Sequence, residues 1–359
     1  MDGEETMNRE ETLSFTTRVI VRIVALMTIA GLANPAAAQQ SQDRKWCVND
    51  QKISPDLRIA GCTAVIQSGA QSNSDLIAAF RNRGIAYGSK GQYDRAIEDF
   101  GQAIELDPGD TRTLYNRGSA YGRSGQYDRA IEDLNQAIKL DPSDALAYMN
   151  RGIAYGGKGQ FNRAIEDFNQ AIELDPRSAQ AFSNRGHANR VSGQYDLAVR
   201  DYDQVIKLVP DSDVSYYNRG RSYEGNKDYE RAIADYNEAI RRDPQDSDYW
   251  SARCGVRAKT GQSLDLALQD CGEALRLRPD DANTLDSRAL VHLRRSQLDN
   301  AIWDYDAALK LEPKMAYSLY GRGLAKQKKG DRGGAEADTT AARAIDPKVD
   351  ETFAGYSLK

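Results

Sequence analysis

The chain has 359 residues, of which 28% are charged and 40% hydrophobic, and its formal net charge is −5. This length accommodates two or three ordinary domains or one long repeat array. Lys and Arg number 48 against 53 Asp and Glu, which excludes the strongly basic balance typical of nucleic-acid-binding proteins, so we expect no nucleic-acid partner.

The first 38 residues have the pattern of a secretory signal peptide. Arg18 and Arg22 flank the apolar run IVALMTIAGLA, and the small residues Ala36 and Ala38 follow it. The run is shorter than the roughly 20 residues of a membrane span. We therefore predict a signal peptide over 1–38, no stable membrane span after its cleavage, and a mature protein that is periplasmic or secreted. An uncleaved N-terminal anchor is the alternative, and it also exports the rest of the chain.

A period of 34 residues organises the chain from 77 to 348. Eight prolines mark it, each 34 residues after the last except for one gap of 35, which one extra residue, most simply Ser263, explains. The prolines are Pro108, Pro142, Pro176, Pro210, Pro244, Pro279, Pro313 and Pro347. The period predicts eight units over 77–110, 111–144, 145–178, 179–212, 213–246, 247–281, 282–315 and 316–348.

Each unit is predicted to hold two helices. In the first unit Phe80, Gly84 and Tyr87 are spaced four and three residues apart, which places them on one helical face. Gly91 is suited to ending this helix in a left-handed conformation. A second apolar stripe follows and stops before Asp-Pro, because Pro cannot continue a helix. We expect Ser or Asp to cap the next helix, as Ser143 would.

A 34-residue helix-turn-helix unit of this kind resembles the tetratricopeptide repeat. The resemblance covers 77–348 and implies an all-α fold, a right-handed superhelical α-solenoid in which each helix pair packs only on its neighbours. The chain departs from the family pattern by placing Arg, where Leu is more usual, directly before the small residue of the first helix. In the last unit Thr339 also replaces the large apolar residue of the second helix.

Repeat arrays need polar caps at both ends. Residues 39–76 contain SPDLRIAGCTAVIQSG, whose apolar spacing matches that of the repeated second helices. Residues 349–359 place Val349, Phe353 and Tyr356 at intervals suited to one short helix. We predict an N-terminal capping segment over 39–76 and a capping helix over 349–359.

An Arg on the first helix and an Asp on the second recur in all eight units. We predict a repeated ion pair between the two helices, with the Arg stem covering apolar surface. The pairs are Arg83–Asp99, Arg117–Asp133, Arg151–Asp167, Arg185–Asp201, Arg219–Asp235, Arg253–Asp270, Arg288–Asp304 and Arg322–Asp338.

The four cysteines favour two disulfides, which persist in an oxidising compartment. Cys254 occupies the small-residue position of its first helix, and Cys271 replaces the aromatic residue that faces it. Both are predicted to point into one seam and to form a disulfide. A Cys47–Cys62 disulfide would join the N-terminal leader to the capping helix. Packed free thiols are the alternative at both places.

Candidate catalytic motifs are weak throughout the chain. The stretch GIAYGSKG lacks the Gly-Lys-Ser/Thr ending of a phosphate loop. His187 and His292 are the two histidines and lie more than a hundred residues apart. Carboxylate pairs such as Glu98-Asp99 recur in neighbouring copies and mark none of them as special. We therefore predict a protein that is not an enzyme, with no cofactor and no metal site.

The resemblance implies that the first helices line a concave groove that binds peptides. An Asn directly before the Arg in five units resembles the asparagine ladder with which some family members bond a peptide backbone, since an amide both donates and accepts. The ladder consists of Asn82, Asn116, Asn150, Asn184 and Asn218 and ends at Ala252, Ser287 and Gly321. The alternative is that these amides bridge adjacent helices.

Groove positions that vary between units are expected to set specificity. They mix aromatic groups with positive charge, which favours an extended segment carrying acidic and apolar side chains. By resemblance they are Arg81, Tyr115, Met149, His187, Arg190, Tyr217, Arg221 and Glu224. Trp303, on the predicted outer face, marks a second contact surface or packs on a neighbouring helix.

These features predict a non-catalytic, exported adaptor whose partners are protein or peptide segments held in the groove. A cell-envelope module that binds a glycan or a peptidoglycan stem peptide is the alternative.

Overall fold

The computed structural model of the protein describes residues 35–48, 52–69 and 72–356. Within these ranges the regular elements are 19 α-helices and no strand, which confirms the predicted all-α class. The predicted signal peptide lies outside the described residues except for 35–38, which belong to the first helix. No helix in the described ranges combines the length and the apolar character that crossing a membrane requires.

The helices follow one another with short connections. In chain order they are α1 Pro35–Trp46, α2 Pro55–Gln67, α3 Asn73–Ser89, α4 Tyr93–Leu106, α5 Thr111–Arg123, α6 Tyr127–Leu140, α7 Ala145–Gly157, α8 Phe161–Leu174, α9 Ala179–Val191, α10 Tyr195–Leu208, α11 Asp213–Gly225, α12 Tyr229–Arg242, α13 Ser247–Thr260, α14 Leu264–Leu277, α15 Ala282–Arg294, α16 Leu298–Leu311, α17 Ala316–Lys329, α18 Arg332–Ile345 and α19 Val349–Gly355.

The repeats are grouped into two larger compact bodies, one ending at Pro142 and one beginning at Ser143. From here on, the first unit and the second unit mean these two bodies, and the 34-residue elements are called repeats. In the first, α1 to α6 pack in sequence, each against the next. In the second, α7 to α18 pair as successive hairpins, and each hairpin packs on its neighbours. Each unit is therefore a stack of helical hairpins whose apolar faces are buried between neighbours, as a tandem-repeat fold requires.

The turns between paired helices use left-handed residues. Gly91, Gly125, Gly159 and Gly193 have φ between +71° and +79°, which confirms the predicted glycine caps. The extra residue that lengthens the sixth repeat, Ser263, has φ of +49° and directly precedes α14, so the insertion lies in the turn as predicted.

The predicted N-cap at Ser143 is wrong by one residue. Asp144 is the N-cap of α7, because its carboxylate accepts hydrogen bonds from the N–H groups of Leu146 and Ala147 at 2.9 and 3.3 Å. A carboxylate at this place satisfies two of the amide groups that a helix leaves without partners at its start.

The small residue of each first helix lets the paired helices approach closely. A Cβ atom built on Gly84 would lie 2.7 Å from the ring of Phe100, and one built on Gly152 would lie 2.7 Å from the ring of Phe168. These distances are shorter than van der Waals contact, so a side chain at Gly84 or Gly152 would require the facing ring to shift.

The sixth repeat replaces this contact with a disulfide. Cys254 and Cys271 are fully buried, bonded to each other, and have Cα atoms 5.4 Å apart. Cys47 and Cys62 form the second disulfide, which joins the end of α1 to α2. Both predicted pairings are confirmed, and the free-thiol alternative is wrong.

The predicted ion pair is present in every repeat. The shortest N···O distances are 2.6–2.7 Å, the Asp side chains are only 2–9% exposed, and the Arg side chains are 13–24% exposed. Several of these Arg residues also bond the second helix of the preceding repeat, as Arg219 does to Asp203 and Arg322 to Asp306, both at 2.6 Å. The Arg therefore joins repeats as well as helices, which was not predicted.

Candidate ligand-binding surfaces

The first-helix residues predicted to line the groove in the first unit are partly used within the protein. Asn82 donates from Nδ2 to the carbonyl of Cys47 at 2.8 Å. Arg81 forms an ion pair of 2.6 Å with Asp110, the N-cap of α5. For Asn82 the structure thus matches the alternative in which the amide bridges neighbouring segments, and Arg81 is engaged in an ion pair that was not predicted.

Tyr115 and Asn116 line a small cavity in the first unit. Its volume is about 330 Å³, and Tyr93 and Arg123 contribute to its walls. Both predicted groove residues are partly buried on α5. This cavity brings together an aromatic ring, an amide and a guanidinium group.

In the second unit, two predicted residues on α7 make contacts within the protein. Met149 is only 5% exposed and packs in the core with Phe168 and Ala181. Its long apolar side chain is stabilised by burial, so the structure corrects its assignment as a groove residue. Asn150 donates from Nδ2 to the carbonyl of Leu146 in its own helix at 2.8 Å.

Asn184 differs from these amides. Its Nδ2 is buried and has no hydrogen-bond partner among the described residues. A buried donor left unpaired is unfavourable, and a bound acceptor would remove that cost. Asn218, the next residue of the predicted ladder, is partly buried on α11.

A cluster of basic groups lies beside Asn184. Burial and the nearby charges of Arg190 and Arg221 lower the pKa of His187. Arg190 Nη2 lies 3.4 Å from His187 Nδ1, and Arg221 donates to the hydroxyl of Tyr217 at 3.3 Å. The structure brings together His187 and Arg190 of α9 with Tyr217 and Arg221 of α11, and we call these four residues the basic cluster.

Glu224, the last predicted groove residue, is already paired. It accepts a hydrogen bond from the hydroxyl of Tyr236 at 2.9 Å, and its other oxygen forms an ion pair with Lys259 at 2.8 Å. Both carboxylate oxygens thus have partners within the second unit.

A larger cavity, of about 590 Å³, lies among the helices that follow the ladder. Its walls include Ala252 and Ser287, where the asparagine row has ended, together with Asp286, Tyr305 and Phe353. We call it the C-terminal cavity. Three predicted groove residues, Tyr217, Arg221 and Glu224, line it. Sequence reasoning missed Asp286, which is the single acidic residue at the variable position that Arg81 occupies in the first repeat.

Trp303 is 65% exposed on α16. Packing on a neighbouring helix, one of the two predicted explanations, is therefore wrong. The second contact surface remains a prediction.

Groups that bind metals are not clustered in the part of the chain that the structure describes. No three or more His, Cys, Asp or Glu residues in these ranges are placed to hold a metal ion. The histidines lie apart, His187 on α9 and His292 on α15.

Family models match more than half of the chain. Models described as tetratricopeptide repeat match residues 77–110, 100–132, 145–178, 184–247 and 217–282, and a further model described as TPR repeat matches 123–159. A search of curated proteins finds no match.

Solved structures with the same fold include three in which the similar region covers more than 60% of both chains. A tetratricopeptide repeat protein from Parabacteroides merdae is 18% identical, with a TM-score of 0.55 over 70% of this chain and 98% of its own. The Cut9–Hcn1 hetero-tetramer of the APC/C is 14% identical, with a TM-score of 0.56 over 87% and 64%. Pseudomonas aeruginosa pilF is 16% identical, with a TM-score of 0.53 over 61% and 99%. At these identities the likeness extends to the fold alone.

Proposed function

Because the chain belongs to the tetratricopeptide repeat family, we propose that it is an exported, non-catalytic scaffold that binds an extended segment of another protein on its first helices. Proteins of this architecture use extended concave surfaces for binding. The repeats themselves support a role as an interaction scaffold. The kind of segment that binds, the helices it binds to and the export of the protein are the parts that we propose.

The observation that carries this proposal is the unpaired amide of Asn184 beside the basic cluster. A peptide carbonyl that accepts from Asn184 Nδ2 would satisfy a donor that is buried and has no partner among the described residues. His187 and Arg221 are exposed on the same pair of first helices. The peptide backbone would therefore be held by the amide, and neighbouring side chains would contact the cluster.

The charge of the basic cluster selects the kind of segment. The positive charges of Arg190 and Arg221 both lower the pKa of His187, so both guanidinium groups lie near its imidazole ring. An acidic side chain there would form charge-assisted hydrogen bonds with the guanidinium groups. Tyr217, partly buried beside Arg221, offers an aromatic surface to an apolar neighbour.

Site-specific crosslinking tests the binding site. We replace His187 with p-benzoylphenylalanine, irradiate the purified protein in cell-envelope extract, and identify the adducts by mass spectrometry. The matched control carries the same group at Leu197, an exposed residue of the second helix α10. We expect a defined set of protein adducts at position 187 that is absent at 197.

A charge reversal shows whether the adducts depend on the cluster. In an Arg221→Glu background the adducts at position 187 should fall at least fivefold, because an acidic segment would then be repelled. Identical adducts at 187 and 197, or adducts unaffected by the reversal, would contradict the proposal. Retention on purified cell-wall sacculi without protein adducts would support the glycan or stem-peptide alternative in its place.

Export is tested separately. Residues 1–60 fused to alkaline phosphatase should give phosphatase activity, which requires an oxidising compartment. Replacing Ala36 and Ala38 with Gln should leave the longer precursor on a gel, because signal peptidase needs small residues there. An inactive fusion would contradict export. An active fusion whose length does not change would support the uncleaved anchor.

A further inference from the structure

Two tyrosines at equivalent repeat positions differ in their hydrogen bonds. Tyr236 donates to Glu224, twelve residues earlier, at 2.9 Å. Two repeats later Tyr305 takes the same place, but the residue twelve positions before it is Leu293, which cannot accept a hydrogen bond. Tyr305 is 1% exposed, and its hydroxyl has no partner among the described residues. A buried hydroxyl in this state is unfavourable unless something else bonds it.

Tyr305 is one of the residues that line the C-terminal cavity. A Cβ atom on Gly321 would come within 2.2 Å of its hydroxyl oxygen, so the glycine makes room for it. Gly321 occupies the position that holds Asn in the first five repeats, as do the cavity residues Ala252 and Ser287. The end of the asparagine row therefore opens the space into which the hydroxyl projects.

Asp286 supplies an acceptor in the same cavity. Among the described residues, its carboxylate accepts one side-chain hydrogen bond, from the hydroxyl of Ser318 at 2.6 Å. A carboxylate has acceptor sites for about four. Within the cavity wall, Lys259 is paired with Glu224. The capacity that remains at Asp286 suits a ligand that donates several hydrogen bonds.

The cavity wall carries charges of both signs. Arg278 forms an ion pair with Asp248 at 2.8 Å, whereas Arg221, a member of the basic cluster, keeps its positive charge and bonds the hydroxyl of Tyr217. Four carboxylate residues and three cationic residues line the cavity, so its charge leans negative. A positively charged group is the better electrostatic match.

Aromatic rings complete the wall on the side of α19. Phe353 has its ring centroid 5.3 Å from that of Tyr356 and 6.5 Å from that of Tyr317. Arg294 fixes this side, because its guanidinium group bonds the carbonyls of Ala258 and Tyr356. Aromatic faces attract cations and also cover aliphatic chains.

We propose that the C-terminal cavity binds the lysine side chain of a protein segment. The ammonium group donates to the carboxylate of Asp286 and to the hydroxyl oxygen of Tyr305, a carbonyl oxygen of the bound segment accepts from that hydroxyl, and the aliphatic stem packs on Phe353 and Tyr356. This site goes beyond the proposed function, since its ligand has the opposite charge to the one that suits the basic cluster. The cavity shares Tyr217 and Arg221 with the basic cluster, but the two tests use different variants and ligands, so either site can fail its test while the other stands.

Calorimetry with matched peptides tests the ligand class. The probes are acetyl-Ala-Ala-Lys-Ala-Ala-amide and the same peptide with norleucine, which keeps the aliphatic stem and lacks the ammonium group. We expect the lysine peptide to bind the full chain at least tenfold more tightly. Equal affinities would overturn the proposal. Tighter binding of cadaverine than of the lysine peptide would overturn the assignment to a protein segment.

Variants locate the site. Asp286→Asn should weaken lysine-peptide binding at least tenfold, and Tyr305→Phe about threefold or more, with no change for the norleucine peptide. Ser287→Asn, which restores the ladder residue, should fill the cavity and abolish binding of the lysine peptide.

The matched controls lie outside the cavity. Asp299→Asn removes the same charge from an exposed site on α16, and Tyr202→Phe removes a hydroxyl from the equivalent position on α10. Both should leave the affinity unchanged. Full affinity in Asp286→Asn and Tyr305→Phe, or an equal loss in the controls, would overturn the assignment.

Discussion

Removing one partner of the repeated ion pair should destabilise the second unit strongly. Arg151→Leu introduces the residue more usual in the family and leaves Asp167 without its guanidinium partner. Arg151 Nε and Nη2 lie 2.8 and 2.6 Å from the two carboxylate oxygens, and the side chains of Arg151 and Asp167 are 19% and 6% exposed. The carboxylate would therefore stay buried and lose two charge-assisted hydrogen bonds.

The burial of the pair sets the expected magnitude. Exposed ion pairs contribute up to about 1 kcal/mol. Loss of one partner from a buried pair costs about 3–5 kcal/mol. Since Asp167 is buried and Arg151 is partly exposed, we expect the lower end, about 3 kcal/mol. For a unit of this size that corresponds to a fall in Tm of roughly 6–12 °C. The stacking of Arg151 on Tyr148, at 5.5 Å, would be lost as well.

A double-mutant cycle separates the pair from packing. Arg151→Leu, Asp167→Leu and the double variant are melted by circular dichroism, and amide hydrogen exchange is measured in α7 and α8. The double variant should recover most of the stability, because two apolar side chains replace both charges. An unchanged Tm in Arg151→Leu, or additive losses in the double variant, would refute the reasoning. Exchange that rises uniformly along the chain would show that the effect is not local.

Three further perturbations have defined outcomes. Reducing the Cys254–Cys271 disulfide, which closes a loop of 17 residues, should cost about 3 kcal/mol of unfolding free energy, and a variant with both cysteines replaced by Ala should lose its response to reductant at this site. Gly152→Ala should cost about 1–3 kcal/mol, because its new methyl group would meet the facing ring at 2.7 Å. Gly156→Ala, where a Cβ meets nothing within 4 Å, should be neutral or slightly stabilising in the same denaturant titration. Burial raises the pKa of Asp286 to about 6 from its ordinary value of 3.8, so its stabilising contribution should be present below pH 3.8 and be lost as the pH rises through 6. If the unfolding free energy of Asp286→Asn still falls as the pH rises from 3.8 to 6, another group causes the pH dependence.

Much of the fold follows from spacing within one repeat. Arg83 and Asp99 are 16 residues apart, and the short turn between two helices brings these positions together in every copy. The same register led to the Cys254–Cys271 disulfide, with one residue added for the insertion. The hydrogen-bond partners of the predicted asparagine ladder could not be predicted from this spacing. Asn82 and Asn150 have the same place in the repeat, yet one bonds Cys47 and the other its own helix. The partner of each amide depends on which neighbour comes within reach.

The sequence by itself therefore determined the all-α class, the helical hairpins and the repeated ion pairs, and it favoured both disulfides over the free thiols that the structure excludes. Their physical basis is local, because a repeat array is held together by contacts between positions of fixed separation. Only the tertiary structure decided that Met149 is buried, that Trp303 is exposed and that the Tyr305 hydroxyl has no partner within the described ranges. The C-terminal cavity needs side chains from α11, α13, α15, α16, α17 and α19 at once. Its shape results from small residues that open space between distant side chains, and no single repeat contains that information.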